Sequence, residues 1–166
     1  DPKPFPRNPA KYVMVPGNAV KRHPVIEQRM RDIAAFAESF PYNRIESGDH
    51  SLGIITCGIA YQYAREVFPE ASILRLGLTW PLPVKMISAF AHSVERVIVI
   101  EELDGFIEEA VRLIGIKVEG KSIFPITGEF DPRVVRESAV QAGLLPAAAS
   151  VTLPEVELGK LPGRPP

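Results

Sequence analysis

Cysteine is almost missing from this sequence: Cys57 stands alone among 166 residues. One thiol closes no internal disulfide, supplies no structural zinc site by itself, and holds no iron–sulfur cluster of the kind ligated by four thiolates. Charge of one sign is also missing, since 19 basic and 20 acidic residues leave a formal charge of -1. That balance removes the electrostatic footprint of a nucleic-acid or anionic-membrane partner, so neither is expected. No apolar run approaches the roughly 20 residues of a membrane span. The opening DPKPFPRNPA carries no signal-peptide core, and the cytoplasm is the expected setting. Tryptophan occurs once, at Trp80.

Proline is what the chain has in abundance, 17 in all, and it is gathered at the ends. Pro2, Pro4, Pro6, Pro9 and Pro16 precede residue 17, and Pro146, Pro154, Pro162, Pro165 and Pro166 follow Leu145. Both ends therefore read as stiff, extended joins: an N-terminal linker over 1–22 and a C-terminal linker over 146–166. Tyr12–Val15 reads as a short edge strand or a surface segment. Between the linkers, 23–145 is expected to form one domain, and 46% apolar content is enough for a real core. The chain starts without methionine and stops in Gly163-Arg164-Pro165-Pro166, so a domain of something longer is expected.

The centre of that domain is the stretch from Ile73 to Leu103. An apolar run from Ile73 to Leu78 reaches Thr79-Trp80-Pro81, a helix follows from Pro83 through Val84, Ile87, Phe90, Ala91 and Val94, and Arg96 to Ile100 is apolar again. Two strands joined by such a helix form a right-handed crossover and lie parallel in one sheet. Being apolar on both faces, Arg96–Ile100 is expected in the middle of that sheet. An earlier strand, Leu52–Thr56, breaks at Cys57-Gly58 into a helix bearing Ile59, Ala60, Tyr63, Ala64 and Val67.

Before these, a helix is expected from His23-Pro24, with Ile26, Met30, Ile33, Ala34, Ala37 and Phe40 at helical spacing and Pro41 as its end. A loop follows over Asn43–Ser51, in which Asn43, Arg44 and Glu46 have no assignable partner. Later, Asp104-Gly105 is expected to cap a helix through Phe106, Ile107, Ala110 and Val111, with Glu108 and Glu109 outward and Gly115 as its stop. Ser122–Ile126 reads as extended, and Asp131-Pro132 as the start of a last helix that Gly143 stops. The expected fold is a three-layer α/β/α sandwich with a mainly parallel sheet.

Ligands and partners of such sheets meet the carboxyl ends of the strands. The candidate contact residues are therefore Thr79, Trp80, Pro81, Glu101, Glu102 and Asp104. A lone tryptophan at a strand end is either core or an interface anchor. Glu101, Glu102 and Asp104 form the one acidic cluster there. A carboxylate pair with separated pKa values performs acid–base chemistry, but acids beside a helix start are favoured by its dipole anyway. Cys57-Gly58 lacks both the G-x-G-x-x-G pattern and a P-loop lysine, so Gly58 reads as a turn residue and Cys57 as a small buried side chain. His92 reads as a solvated helix residue.

The order of elements, with Gly58 at the first turn, Leu74 to Pro83 as LRLGLTWPLP at the second and Val97 to Glu102 as VIVIEE at the third, resembles the transketolase C-terminal-like domain of thiamine-diphosphate enzymes. More specifically, Val13 to Ala19 with Arg22-His23-Pro24, Asn43 to Glu46, Leu52 to Tyr63, and Glu101 to Glu109 are similar to the alpha subunit of indolepyruvate ferredoxin oxidoreductase, over about Tyr12 to Glu137. The resemblance implies a domain of an enzyme that oxidatively decarboxylates arylpyruvates on thiamine diphosphate with Mg2+. Electrons would pass through 4Fe-4S clusters to ferredoxin, and the acyl group to coenzyme A. It implies a beta subunit and other domains of the same chain as partners.

The family's G-D-G diphosphate motif with its downstream asparagine, its C-x-x-C repeats and its thiamine-activating glutamate have no counterpart in this sequence. The resemblance therefore implies an assembly role, with no catalytic, cofactor-binding or metal residue in this stretch, and an inactive fragment when alone. Two other readings remain: the corresponding domain of a transketolase or 1-deoxyxylulose synthase, and a free-standing small-molecule module using the Cys57-Gly58 and Glu101 turns.

Overall fold

A computed structural model describes residues 3–147. The expected C-terminal linker falls outside the described residues from 148 onward. Two helices open the chain, α1 (Pro9–Tyr12) and α2 (Pro16–Ala37), followed by strands β1 (Arg44–Glu46) and β2 (Asp49–Cys57). Then come α3 (Ala60–Val67), β3 (Ala71–Leu76), α4 (Val84–His92), β4 (Arg96–Ile100), α5 (Phe106–Leu113) and α6 (Pro132–Gln141). The sheet runs β1-β3-β2-β4; β1 is antiparallel to β3 and the other pairings are parallel.

Alternation along the strands divides the core between the two faces of the sheet. Ile54, Ile73, Ile98 and Ile100 point to one side, against Ala60, Ala64 and Val67 of α3 and Val135 and Ala139 of α6. Ile55, Leu74, Leu76, Val97 and Val99 point to the other, against Ile87 and Phe90 of α4 and Ile107 and Val111 of α5. The three-layer α/β/α arrangement expected from the sequence is the one found. At Gly53, in mid-strand, a Cβ would stand 2.7 Å from Val94 Cγ2, so glycine lets α4 and its C-terminal turn lie close on β2.

Several local expectations are corrected. Strand β4 lies at the end of the ladder, and β2 and β3 are the middle strands. Its apolar character on both faces comes from the helical layers that cover them, while 118–120 run along its outer edge, where Val99 N–H donates to Glu119 O (2.8 Å). Ser122–Ile126 is not extended, because Ile123 and Phe124 N–H turn back onto Gly120 O. Asn43–Ser51 is not all loop, since it holds β1 and the start of β2.

Helix α2 begins at Pro16 and passes through Pro24 instead of starting there. Pro16 occupies the first turn, where no N–H is needed. The Asn18 amide donates to Val13 O (2.8 Å) and ties that start to the preceding segment. Val13–Val15 is exposed and forms no strand.

The far end of α2 is anchored by polar contacts. Asn43, buried, donates to Ala37 O (2.8 Å) and accepts from Gly77 and Leu78 N–H (2.8 and 3.1 Å). Glu38 accepts from Lys85 and Met86 N–H (2.9 and 3.0 Å), so α2 supplies the cap that α4 has no local side chain to provide. Glu46 accepts from Tyr61 Oη (2.6 Å) and pairs with Arg65 (2.8 Å), and Arg44 Nε donates to Pro41 O.

Candidate functional site

The carboxyl ends of β2, β3 and β4 open onto a shallow cavity of about 240 Å³ lined by Cys57, Gly58, Thr79, Glu101, Glu102, Asp104 and Phe106, among others. Four of the residues expected at a contact face therefore meet in one place. Trp80 borders them, packed on the Phe106 ring with centroids 5.8 Å apart and planes tilted by 60°. The Trp80-Pro81 peptide bond is cis and turns the chain at the head of α4. Of the two roles open to Trp80, core is excluded, because 60% of it is exposed.

The acidic cluster is divided in its duties. Glu101 is only 5% exposed, and its carboxylate accepts from Ile107 and Glu108 N–H (2.8 and 2.9 Å), capping α5 from the end of β4. This corrects the expectation that Asp104 is the cap: Gly105 holds the cap position without a side chain, and Asp104 faces solvent. The reason is a tight turn, with Leu103 at φ 57°, that swings the start of α5 back over Glu101. Burial raises the Glu101 pKa above the usual carboxylate value, opposed by the two N–H groups and by nearby Lys121. Glu102 accepts from Phe130 N–H (3.1 Å).

Behind this face, Glu108 is buried instead of outward. Its Oε2 accepts from Lys121 N–H (2.7 Å), and its Oε1 lies 2.5 Å from the Arg112 guanidinium in an ion pair that lacks hydrogen-bond alignment. Gly120 makes room for it, since a Cβ there would sit 2.7 Å from the Glu108 carboxylate. Lys121 Nζ donates to Glu101 O and lies 5.3 Å from the Phe130 ring centre; burial lowers its pKa.

The polar groups of this face are engaged in holding the fold. Burial, reinforced by Glu101 and Glu102, raises the Cys57 pKa and keeps it a thiol, a poor nucleophile. Glu101 is committed to α5. Gly58 sits at φ 56° with nothing within 4 Å of an added Cβ, which supports its reading as a turn residue. Among the described residues no group of three or more His, Cys, Asp or Glu side chains is placed to hold a metal ion. With one thiol and no such group, the described residues do not fit a 4Fe-4S or Mg2+ site. No helix among them is long and apolar enough to cross a membrane.

A mainly parallel sheet with helical layers on both faces and an exposed strand-end face defines a three-layer α/β/α domain. A chain of the 2-oxoglutarate:ferredoxin oxidoreductase from Magnetococcus marinus, solved with 2-oxoglutarate, coenzyme A and succinyl-CoA bound, matches it with a TM-score of 0.59 at 22% identity, over 80% of this chain and 24% of that one. At that identity the match establishes the fold.

Sequence comparison is more specific. The chain is 31% identical over 171 residues to the indolepyruvate oxidoreductase subunit IorA of Archaeoglobus fulgidus, covering 96% of this chain and 27% of that subunit. The Pyrococcus horikoshii subunit IorA is 32% identical over 152 residues, 82% of this chain and 23% of that subunit. No family model matches. The chain thus corresponds to a region of the indolepyruvate oxidoreductase IorA subunit, as the sequence resemblance implied, and spans about a quarter of the length of these relatives.

Proposed function

We propose that this chain is the non-catalytic assembly domain of a thiamine-diphosphate-dependent, cytoplasmic indolepyruvate:ferredoxin oxidoreductase. It spaces the cofactor-bearing domains and presents the strand-end face of Thr79, Trp80, Pro81, Glu101, Glu102 and Asp104 to a neighbour. The carrying observation is the 31% identity to subunit IorA across 96% of the chain. In the complete enzyme, thiamine diphosphate with Mg2+ supplies the decarboxylation chemistry, 4Fe-4S clusters pass electrons to ferredoxin, and coenzyme A takes the acyl group, all held by other domains or the beta subunit. The segments 1–22 and 146–166 serve as the joins.

The test uses the complete subunit together with its partner subunit. Trp80→Ala should reduce subunit association, measured by light scattering after gel filtration, and indolepyruvate-dependent viologen reduction should fall in proportion. Full association with lost activity would overturn the assembly role. A titration of this chain with coenzyme A, thiamine diphosphate and nucleotides should show no dissociation constant below about 100 µM. Tight binding of any of them would favour the small-molecule reading.

A further inference from the structure

The geometry points to a reciprocal pairing of two copies of this chain, in which the α1–α2 arm of each docks on the strand-end face of the other. The inference rests on reading that face as a contact surface, and it names the occupant.

In this chain the arm is exposed along nearly its whole length. Of the 22 residues of α2 only Ala37 is buried. Phe5, Tyr12 to Val15, Val20, Val25 and Phe36 are exposed. Val25, Arg29 and Phe36 recur four and seven residues apart, which places them on one side of the helix. The arm is also basic: between residues 3 and 31 stand Lys3, Arg7, Lys11, Lys21, Arg22, Arg29 and Arg31 against Glu27 alone. None of these cations forms an ion pair with a carboxylate among the described residues. Overall neutrality hides this segregation of charge.

The face is the complement. Ile59, Trp80, Leu103 and Phe106 are each at least half exposed. Glu102 and Asp104 stand among them, and neither forms an ion pair among the described residues. Lys121 lies near enough to feel the charges of Glu102 and Asp104, but its ammonium is turned inward onto Glu101 O. Apolar anchors with an acidic rim fit a helix that carries apolar anchors between cations.

The position of the arm makes the pairing close on itself. Glu38 and Asn43 fasten the root of α2 to the segment 77–86, which carries Trp80. The arm therefore leaves the domain beside the face, yet it does not cover that face in its own chain, where Trp80 stays exposed. A helix of 22 residues reaches about 33 Å, enough to cross to a second copy. With root and acceptor adjacent, a two-fold axis brings both contacts into one interface and no open filament results.

The test is sedimentation velocity of this chain, once cooperative urea unfolding has shown that it folds on its own, over about a hundredfold range of concentration. A dimer is expected, weakened tenfold or more in high salt by screening of the exposed charges. Lys21→Glu/Arg29→Glu and Asp104→Lys each change only exposed side chains, and circular dichroism checks that both remain folded. Each alone should be monomeric where the parent pairs. Mixed together they should form a dimer, because the reversed arm meets the reversed face and the native arm meets the native face.

A monomeric parent, variants that pair as the parent does, or a mixture that stays monomeric overturns the proposal. If the parent is monomeric while Trp80→Ala still disrupts the complete subunit, the contact-face reading survives and a neighbouring domain is the occupant.

Discussion

Replacing Glu101 tests how the strand-end face is held in shape. Its carboxylate accepts two backbone N–H groups of α5 at 2.8 and 2.9 Å in a site that is 5% exposed. Hydrogen bonds to a charged acceptor contribute about 1.5–3 kcal/mol each, but burying the carboxylate opposes part of this. Glu101→Ala orphans both donors and is expected to cost about 2–3 kcal/mol, a large share of the roughly 5–15 kcal/mol typical of a whole domain. Glu101→Gln keeps one acceptor oxygen and should cost about half as much.

Urea unfolding followed by far-ultraviolet circular dichroism measures both, and a melting-point fall of about 4–10 °C should accompany the alanine variant. The carboxylate also has a pH signature. Its pKa is raised in the folded state by burial. Below the ordinary glutamate range both states hold the proton; as pH rises the unfolded chain releases it first, so this group's contribution to stability falls until the folded state ionises too. The stability difference between parent and Glu101→Gln should therefore shift against the parent across that window. An alanine variant within about 0.5 kcal/mol of the parent would refute the capping argument.

Asn43→Ala removes the acceptor for Gly77 and Leu78 N–H and the donor to Ala37 O; a loss of about 2–3 kcal/mol is expected in urea unfolding. Gly120→Ala pushes a Cβ to 2.7 Å from the Glu108 carboxylate and should cost about 1–3 kcal/mol, read as a lowered melting point. Glu108→Ala in the same chain should make the added methyl far less harmful. The Cys57 thiol, its pKa raised by burial and nearby acids, should react with iodoacetamide at neutral pH more slowly than glutathione. Denaturation should abolish the difference.

What was legible in the sequence came from runs and punctuation. Leu52–Thr56, Ile73–Leu78 and Arg96–Ile100 are apolar enough to announce strands, and Asp131-Pro132 announces α6, whose Asp131 accepts from Val134 N–H at 2.7 Å. Gly115 and Gly143, at φ 86° and 70°, stop their helices as read. What was missed depends on distance along the chain or on cover from elsewhere. Strand β1 has one apolar residue, Ile45, and exists because β3 offers it an edge.

Glu38 caps a helix 47 residues away, a relation that no local pattern encodes. Strand β4 looked central because helical layers bury both its faces, although one of its edges meets only the short segment around Glu119. The start of α2 was masked by Pro24, which reads as a first-turn residue and sits inside the helix. At the contact face, position was legible from the strand ends. The division of work between Glu101 and Asp104 was not, because it turns on the left-handed backbone at Leu103.

The stacking of Trp80 on Phe106 has a photophysical consequence. Trp80 is the chain's sole indole, so all tryptophan emission arises at the rim of the strand-end face. With 60% of the residue in water that emission is red-shifted, and it moves to the blue when anything apolar covers the face. Occupancy of this surface, by a second copy or by a neighbouring domain, thus carries an intrinsic optical signal, free of background from the rest of the fold and requiring no attached dye.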